Sequence, residues 1–305
     1  MPNQLFDYHQ TKDMILLDGK KLAQEIKAEL KAEVAQIRQN GGKIPHLAAV
    51  LIGEDPASEV YVRNKVQSCE EIGFHSTLIR KTADIGEAEL LETVQALNEN
   101  KDIDGFIVQL PLPKHIHEDR ITLAIDPRKD VDGFHPVNFG RMAQGLPAYL
   151  PATPFGILEM LRRYDIPTSG KEVVVVGRSN IVGTPMSVLL SRKAYPGDAT
   201  VTICHSRTQN MVAHTRRADI LIVAIGQAEF ITADMVKEGA VVIDVGMNRV
   251  ADTNAPKGSR LCGDVHYASV APKASYITPV PGGVGRMTVV SLLVNTLKAS
   301  RNEVF

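Results

Sequence analysis

Four consecutive valines, Val173 to Val176, run straight into Gly177, and this constrains the fold more than any other feature. A continuous β-branched run suits a strand covered on both faces, as in a parallel sheet, rather than a half-exposed strand that alternates. The run VVVVGRSNIVGTP, Val173 to Pro185, then reads as strand, glycine turn and helix start. Further apolar runs follow at Thr200–Ile203, Ile220–Ile225 and Val241–Val245, with helical segments between them. A repeated βα unit implies a parallel sheet with right-handed crossovers. The first half alternates in the same way. Leu22, Ile26, Leu30, Val34 and Ile37 share one face of a helix over about 19–38. Strands are expected at Leu47–Ile52, Phe74–Ile79 and Ile103–Leu110, with helices after Asp55 and around Leu90–Leu97. The segment from Asp126 to Pro154 is rich in Gly, Pro and Asp, and reads as connection and binding surface.

The expected fold is therefore two α/β domains, the second a Rossmann-like parallel sheet. The first domain spans 14–148 and the second 149–285. The final apolar helix, Thr288 to Leu297, packs back on the first domain, which takes in 286–305. Residues 1–13 are a polar extension without the apolar core of a secretory signal. No apolar run is long enough to span a bilayer. Lys plus Arg number 34 against 35 Asp plus Glu, so bulk charge recruits neither nucleic acid nor membrane. An anionic ligand must be held by local groups. The three cysteines, Cys69, Cys204 and Cys262, are widely spaced, which suggests a reducing, cytoplasmic setting with neither a disulfide framework nor a zinc site.

The glycine turn at Gly177 and the helix start near Gly183 allow backbone to approach a phosphate at a helix N-terminus. The spacing is not the standard G-x-G-x-x-G, so the surrounding βα series carries much of this reading. The cofactor type is argued from the next strand. NAD enzymes of this fold place an acid near its end to hold the ribose 2′-hydroxyl. Here Cys204-His205-Ser206-Arg207 follows, with no acid. Ser206, Arg207 and Arg178 would accept a 2′-phosphate, which favours NADP.

Tyr61 and Lys65 stand at i, i+4 on one helix face. A lysine serves as an acid, a base or an electrostatic group when its pKa is lowered. Alone, Y-x-x-x-K is more often a solvated pair. Gln109 opens Gln109-Leu110-Pro111-Leu112-Pro113 at the carboxyl end of a strand, where such sheets place ligands. Its amide is expected to reach both Lys65 and a substrate. Asp130 and Asp132 lie in one loop, and a carboxylate there can accept two hydrogen bonds from an amidine-like ring edge. His115 and His117 flank a turn and read as solvated rather than metal-ligating. Pro279-Val280-Pro281-Gly282-Gly283-Val284-Gly285 is a rigid-then-flexible loop before the final helix, fit for ligand approach or for a domain hinge.

Taken together and in order, these motifs resemble the bifunctional methylenetetrahydrofolate dehydrogenase/methenyltetrahydrofolate cyclohydrolase family, over essentially the whole chain from Met14. The resemblance implies oxidation of 5,10-methylenetetrahydrofolate with NADP, then hydrolysis to 10-formyltetrahydrofolate in the same cleft, within one-carbon metabolism and purine biosynthesis. It implies that Lys65 is catalytic, that Gln109 tunes it, and that Tyr61 packs on the folate. Asp132 would hold the pterin ring, with Val108, Leu110, Pro281, Gly282 and Gly283 lining the substrate site. Gly177, Arg178 and Ser179 would meet the cofactor's phosphates, Ser206 and Arg207 its 2′-phosphate, and Met247 its nicotinamide side. It also implies a homodimer. Three positions depart from the family pattern. Arg286 replaces a proline, which loosens the loop and adds a charge; Met247 replaces isoleucine; Ala152 replaces cysteine. Two other readings compete. A short-chain dehydrogenase shares Y-x-x-x-K, but there the pair follows the dinucleotide segment, whereas here it precedes it by more than a hundred residues. A non-catalytic NADP-binding regulatory module would leave Tyr61, Lys65 and Gln109 with no reason to occur together.

Overall fold

The computed structural model describes residues 14–252 and 258–305. The expected extension, 1–13, lies outside the described residues. Strand β1 (Ile15–Leu16) leads into helix α1 (Gly19–Gln39). Then β2 (His46–Ile52), α2 (Pro56–Ile72), β3 (His75–Lys81), α3 (Glu87–Glu99) and β4 (Gly105–Val108) alternate. Helices α4 (Glu118–Ala124), α5 (Pro136–Ala143) and α6 (Ala152–Arg163) follow. A second series runs β5 (Glu172–Val176), α7 (Gly183–Ser191), β6 (Thr200–Cys204), α8 (Met211–Thr215), β7 (Ile220–Val223) and β8 (Val241–Asp244). The chain closes with β9 (Asn248–Ala251), β10 (Ser259–Cys262), α9 (Tyr267–Val270), β11 (Tyr276–Ile277) and α10 (Val284–Ser300).

The chain divides into two compact units, each discontinuous in sequence. One comprises 23–155 and 288–305, the other 14–22 and 156–287. This division differs from the boundaries read from sequence at 148/149 and 285/286. It also moves 14–22 into the second unit. The reason is local pairing: β1 lies parallel to β11 there, with Ile15 opposite Tyr276. Two-residue strands carry no periodicity that a sequence could reveal.

The first unit holds a three-stranded parallel sheet, β3-β2-β4. Central β2 is buried along nearly its whole length, consistent with cover on both faces. Phe106 and Val108 of β4 join Leu90, Val94 and Ile121 in one apolar cluster. Helix α10 contributes Asn295, which is 1% exposed. Its Nδ2 donates to the carbonyls of Val131 (2.8 Å) and Leu150 (3.0 Å). Side-chain donation from a C-terminal helix thus satisfies two loop carbonyls that no ladder reaches. The segment 126–154, read as connection, contains α5. Pro136 starts that helix and His135 caps it, its Nδ1 accepting from the Val137 N–H.

The second unit holds a six-stranded parallel sheet in the order β1-β11-β8-β7-β5-β6. After β6 the chain crosses back past β5 to form β7. The winding therefore reverses between β5 and β7, and sheets of this type bind ligands at the carboxyl ends of the strands flanking that point. The antiparallel pair β9–β10 is a separate two-stranded ribbon. Among the described residues no helix is long and apolar enough to cross a membrane.

Candidate active site

In the first unit, α2 sets Tyr61 and Lys65. Asp55 caps it by accepting from the Ser58 N–H (2.8 Å), and Pro56 suits the first turn. Gly73 ends it with φ 87°, a left-handed geometry that glycine adopts without strain. Lys65 lies half-buried, and its Nζ donates to Gln109 Oε1 at 3.1 Å. Gln109 follows β4, and its own N–H donates to Val50 O at 2.9 Å, so the backbone beneath it is anchored to β2. Its Nε2 donates to Leu110 O at 2.7 Å. One amide hydrogen is therefore spent inside the turn, leaving one for a substrate. Burial pushes the Lys65 ammonium below its ordinary value, and nearby Asp132 pulls the other way. Burial holds the Asp132 carboxyl above the usual range, opposed by Lys65 and reinforced by Asp130. Lys65, Gln109 and Asp132 thus form one polar group in a desolvated corner, where each charge responds strongly to the others.

The two loop acids separate in role. Asp130 is 2% exposed and accepts from the His135 N–H (2.8 Å), the Phe134 N–H (3.3 Å) and Asn138 Nδ2 (2.9 Å). It ties the loop to α5. Asp132 also lines a small cavity with Phe106, Val108, Leu110 and Phe134. Gly133 permits the turn that follows Asp132: φ is 73°, and a Cβ there would meet the carbonyl carbon of Leu150 at 2.6 Å. Tyr61 is 43% exposed. His117 precedes α4, and His115 Nε2 lies 2.9 Å from Ile85 O. Among the described residues no group of three or more His, Cys, Asp or Glu is arranged to hold a metal.

In the second unit, the turn after β5 fits a dinucleotide. Gly177 has φ 126°, and a Cβ there would lie 2.2 Å from Ala224 O. A Cβ on Gly183 would lie 2.2 Å from Gly177 O. Only glycine lets β5, β7 and α7 approach this closely. Ser179 Oγ accepts from the N–H groups of Val182 (3.2 Å) and Gly183 (3.4 Å), so this side chain caps α7. Arg178, Ser206 and Arg207 are exposed. After β6, His205 N–H donates to Thr208 Oγ1 (2.9 Å) and Arg207 N–H to His205 Nδ1 (3.2 Å), which shapes the turn that presents Ser206.

Pro281, Gly282 and Gly283 precede α10 in this same unit. Gly282 O accepts from the Lys20 N–H (2.9 Å), and Gly283 packs so closely on Gly19 that a Cβ on Gly19 would meet its carbonyl oxygen at 2.1 Å. Arg286 was expected to loosen this loop. Its N–H donates to Gly283 O at 3.1 Å, a bond that a proline cannot make, so the first turn of α10 is closed rather than loosened. Met247 is 45% exposed, and a Cβ on Gly285 would lie 3.0 Å from its Cε.

Family models match both halves in register with these sites. The tetrahydrofolate dehydrogenase/cyclohydrolase catalytic domain matches 17–132, and the NAD(P)-binding domain of the same family matches 151–304. The chain belongs to the tetrahydrofolate dehydrogenase/cyclohydrolase family. The bifunctional protein FolD of Bacteroides fragilis is 60% identical over 292 residues, 96% of this chain and all of that protein. The bifunctional dehydrogenase/cyclohydrolase FolD of Campylobacter jejuni superposes with a TM-score of 0.89 at 45% identity, covering 95% of this chain and 99% of that one. The Trypanosoma brucei enzyme, solved with NADP and an inhibitor, gives 0.89 at 38% identity, covering 96% and 99%. This chain therefore carries both the catalytic and the NAD(P)-binding domain of the family. Tyr61 and Lys65 fall in the unit without the six-stranded sheet, and they precede the Gly177 turn in the chain, whereas in a short-chain dehydrogenase the pair follows the dinucleotide segment. Sequence reasoning missed two acids of the second unit, Asp244 and Asp264. Asp244 lies within the Val241–Val245 strand run, which was read for its apolar residues alone, and Asp264 belongs to none of the motifs quoted above.

Proposed function

We propose that this chain oxidises 5,10-methylenetetrahydrofolate to 5,10-methenyltetrahydrofolate with NADP and hydrolyses that product to 10-formyltetrahydrofolate. The observation that carries the reading is the contact of Lys65 with Gln109 beside Asp132: a half-buried lysine whose ammonium lies in a desolvated corner, held by an amide and balanced by one acid. NADP, when bound, accepts the hydride leaving the one-carbon bridge. Hydride departure needs positioning more than acid or base. In this reading Tyr61 packs on the folate, Asp132 accepts from its pterin ring edge, and Val108, Leu110, Pro281, Gly282 and Gly283 help shape the substrate site. Gly177, Arg178 and Ser179 hold the cofactor's phosphates, Ser206 and Arg207 its 2′-phosphate, and Met247 lies on the nicotinamide side. Water then adds to the methenyl carbon. Lys65 takes a proton from that water as the C–O bond forms, and Gln109 keeps the amine aimed at the water. The bond between the one-carbon unit and N5 then breaks as the new hydroxyl's proton passes to N5, leaving the formyl group on N10. The chain acts in the cytoplasm as a homodimer, without nucleic-acid or membrane partners, in keeping with its near-zero net charge of −1.

An absorbance assay with methylenetetrahydrofolate and either NADP or NAD tests this, following reduced cofactor and methenyl product together. Both signals should rise with NADP, and the methenyl signal should then decay. Preference for NAD would refute the roles given to Ser206 and Arg207. Lys65→Ala should lower methenyl hydrolysis by about a hundredfold or more while NADP still binds, a loss typical of a removed general base. Unimpaired hydrolysis would remove Lys65 from the mechanism. Light scattering checks the dimer.

A further inference from the structure

Two carboxylates of the second unit are almost wholly buried, and among the described residues no Lys or Arg forms an ion pair with either. Asp244 ends β8 and is 4% exposed; Asp264 follows β10 and is 0% exposed. Asp244 Oδ1 accepts from the N–H groups of Gly246 and Asp264, each at 2.9 Å, and its Oδ2 from the Val265 N–H at 2.9 Å. Asp264 Oδ2 accepts from the N–H groups of Ile225 (2.7 Å) and Gly226 (2.9 Å), and its Oδ1 from Asn248 Nδ2 (2.8 Å). Six N–H donors therefore converge on two acids. Side chains at the neighbouring glycines are excluded: a Cβ on Gly263 would lie 1.7 Å from Asp244 Oδ2, and one on Gly246 2.3 Å from Asp264 Oδ1. Burial, with Asp264 adding to it, pushes the Asp244 carboxyl up to about 7. Burying two acids side by side is costly, and an apolar pair would fill such a site more cheaply.

The location suggests what the arrangement does. Ile225 and Gly226 lie just after β7, and the preceding Ala224 is the residue whose carbonyl abuts Gly177 at the reversal of winding. Asn248 is the neighbour of Met247. Asp264 thus grips the backbone beside the glycine turn with one oxygen and the Met247 segment with the other. We infer that Asp264 is a positioning residue for NADP, fixing the spacing between the Gly177 turn and Met247, with Asp244 locking Asp264 in place through its backbone. This rests on the proposal that NADP binds at this sheet. What is required of Asp264 is acceptor geometry rather than charge. An asparagine at 264 can keep its oxygen on Ile225 and Gly226 while its amide meets a flipped Asn248.

The test is a set of four variants read by NADP titration and by amide exchange of Ile225 and Gly226 in the cofactor-free protein. Methenyl hydrolysis, which draws on no residue of this network, reports whether each variant is folded. Asp264→Ala should weaken NADP by about tenfold or more and speed exchange of both amides, as expected when a buried acceptor is lost. Asp264→Asn should bind within about threefold of the unaltered chain. Asn248→Asp sets two carboxylates face to face and should bind poorly, and Asp264→Asn in the same chain should restore binding, a coupling that only direct contact produces. Unaltered NADP affinity in Asp264→Ala, or a double variant as weak as Asn248→Asp, overturns the inference. Should Asp264→Ala fail to fold, the Asn248 arm decides alone, and an unfolded double variant counts against it. If the unaltered chain itself binds no NADP, the underlying cofactor reading fails instead.

Discussion

Lys65 shows how much one side chain's chemistry depends on neighbours distant in sequence. Its ammonium is disfavoured by burial and favoured by the Asp132 charge, and the balance leaves it below the ordinary lysine value of 10.5. The neutral amine is the form that takes a proton, so hydrolysis should rise with pH as Lys65 loses its own. Asp132→Asn removes the opposing charge that holds the proton on. The rising limb of the pH profile for methenyl hydrolysis should therefore move to lower pH in that variant, measured at saturating substrate because ring binding also weakens. A limb that moves upward, or stays in place, would mean that Lys65 does not titrate in this step. Residue type and spacing nominated Tyr61, Lys65 and Gln109 as candidates, and a hydrogen bond joins Lys65 to Gln109. The residue pattern alone did not separate Asp130 from Asp132; the family resemblance singled out Asp132. Both are acids in one loop, and the three hydrogen bonds accepted by Asp130 show that this one shapes the loop.

At the level of elements, the glycine turn after β5 joins the sheet to the proposed cofactor site. Gly183 begins α7 against Gly177 O, with no room for a methyl group. Gly183→Ala must push the start of α7 away from the turn. NADP should bind about tenfold or more weakly in titration, while methenyl hydrolysis keeps its rate. Equal affinity would show that the turn does not set the cofactor's position. Strands β2, β5, β7 and β8 were readable because burial on both faces leaves an unbroken apolar run. Helix α5 was hidden by its flanking Gly, Pro and Asp residues, which also signal loops. The edges of β4 were overextended in sequence, since Ile103 and Leu110 are apolar but lie beyond its ladder. Apolar composition registers burial, and burial does not stop where the hydrogen-bonded ladder stops.

On the scale of the whole molecule, both units are assembled from separated stretches of chain. Asn295 is where the C-terminal helix is fastened within the first unit, and Asn295→Ala would leave the Val131 and Leu150 carbonyls unpaired. Each buried unpaired group costs about 1–3 kcal/mol. Thermal unfolding should therefore show a clear loss of melting temperature, by several degrees for a unit of this size. A melting temperature within a degree of the unaltered chain would show that water replaces the amide. Local patterning was enough to indicate the α/β class, the parallel second sheet and the return of the last helix, and to nominate candidate site residues. Each of these follows from local patterning, because burial and turn chemistry leave marks on neighbouring residues. Only the tertiary structure decided that 14–22 join the second sheet, that Gln109 divides its amide between Lys65 and Leu110, and that Asp244 and Asp264 meet. Such contacts join residues far apart in the chain, and an isolated acid or a two-residue strand carries no pattern until folding supplies its partner.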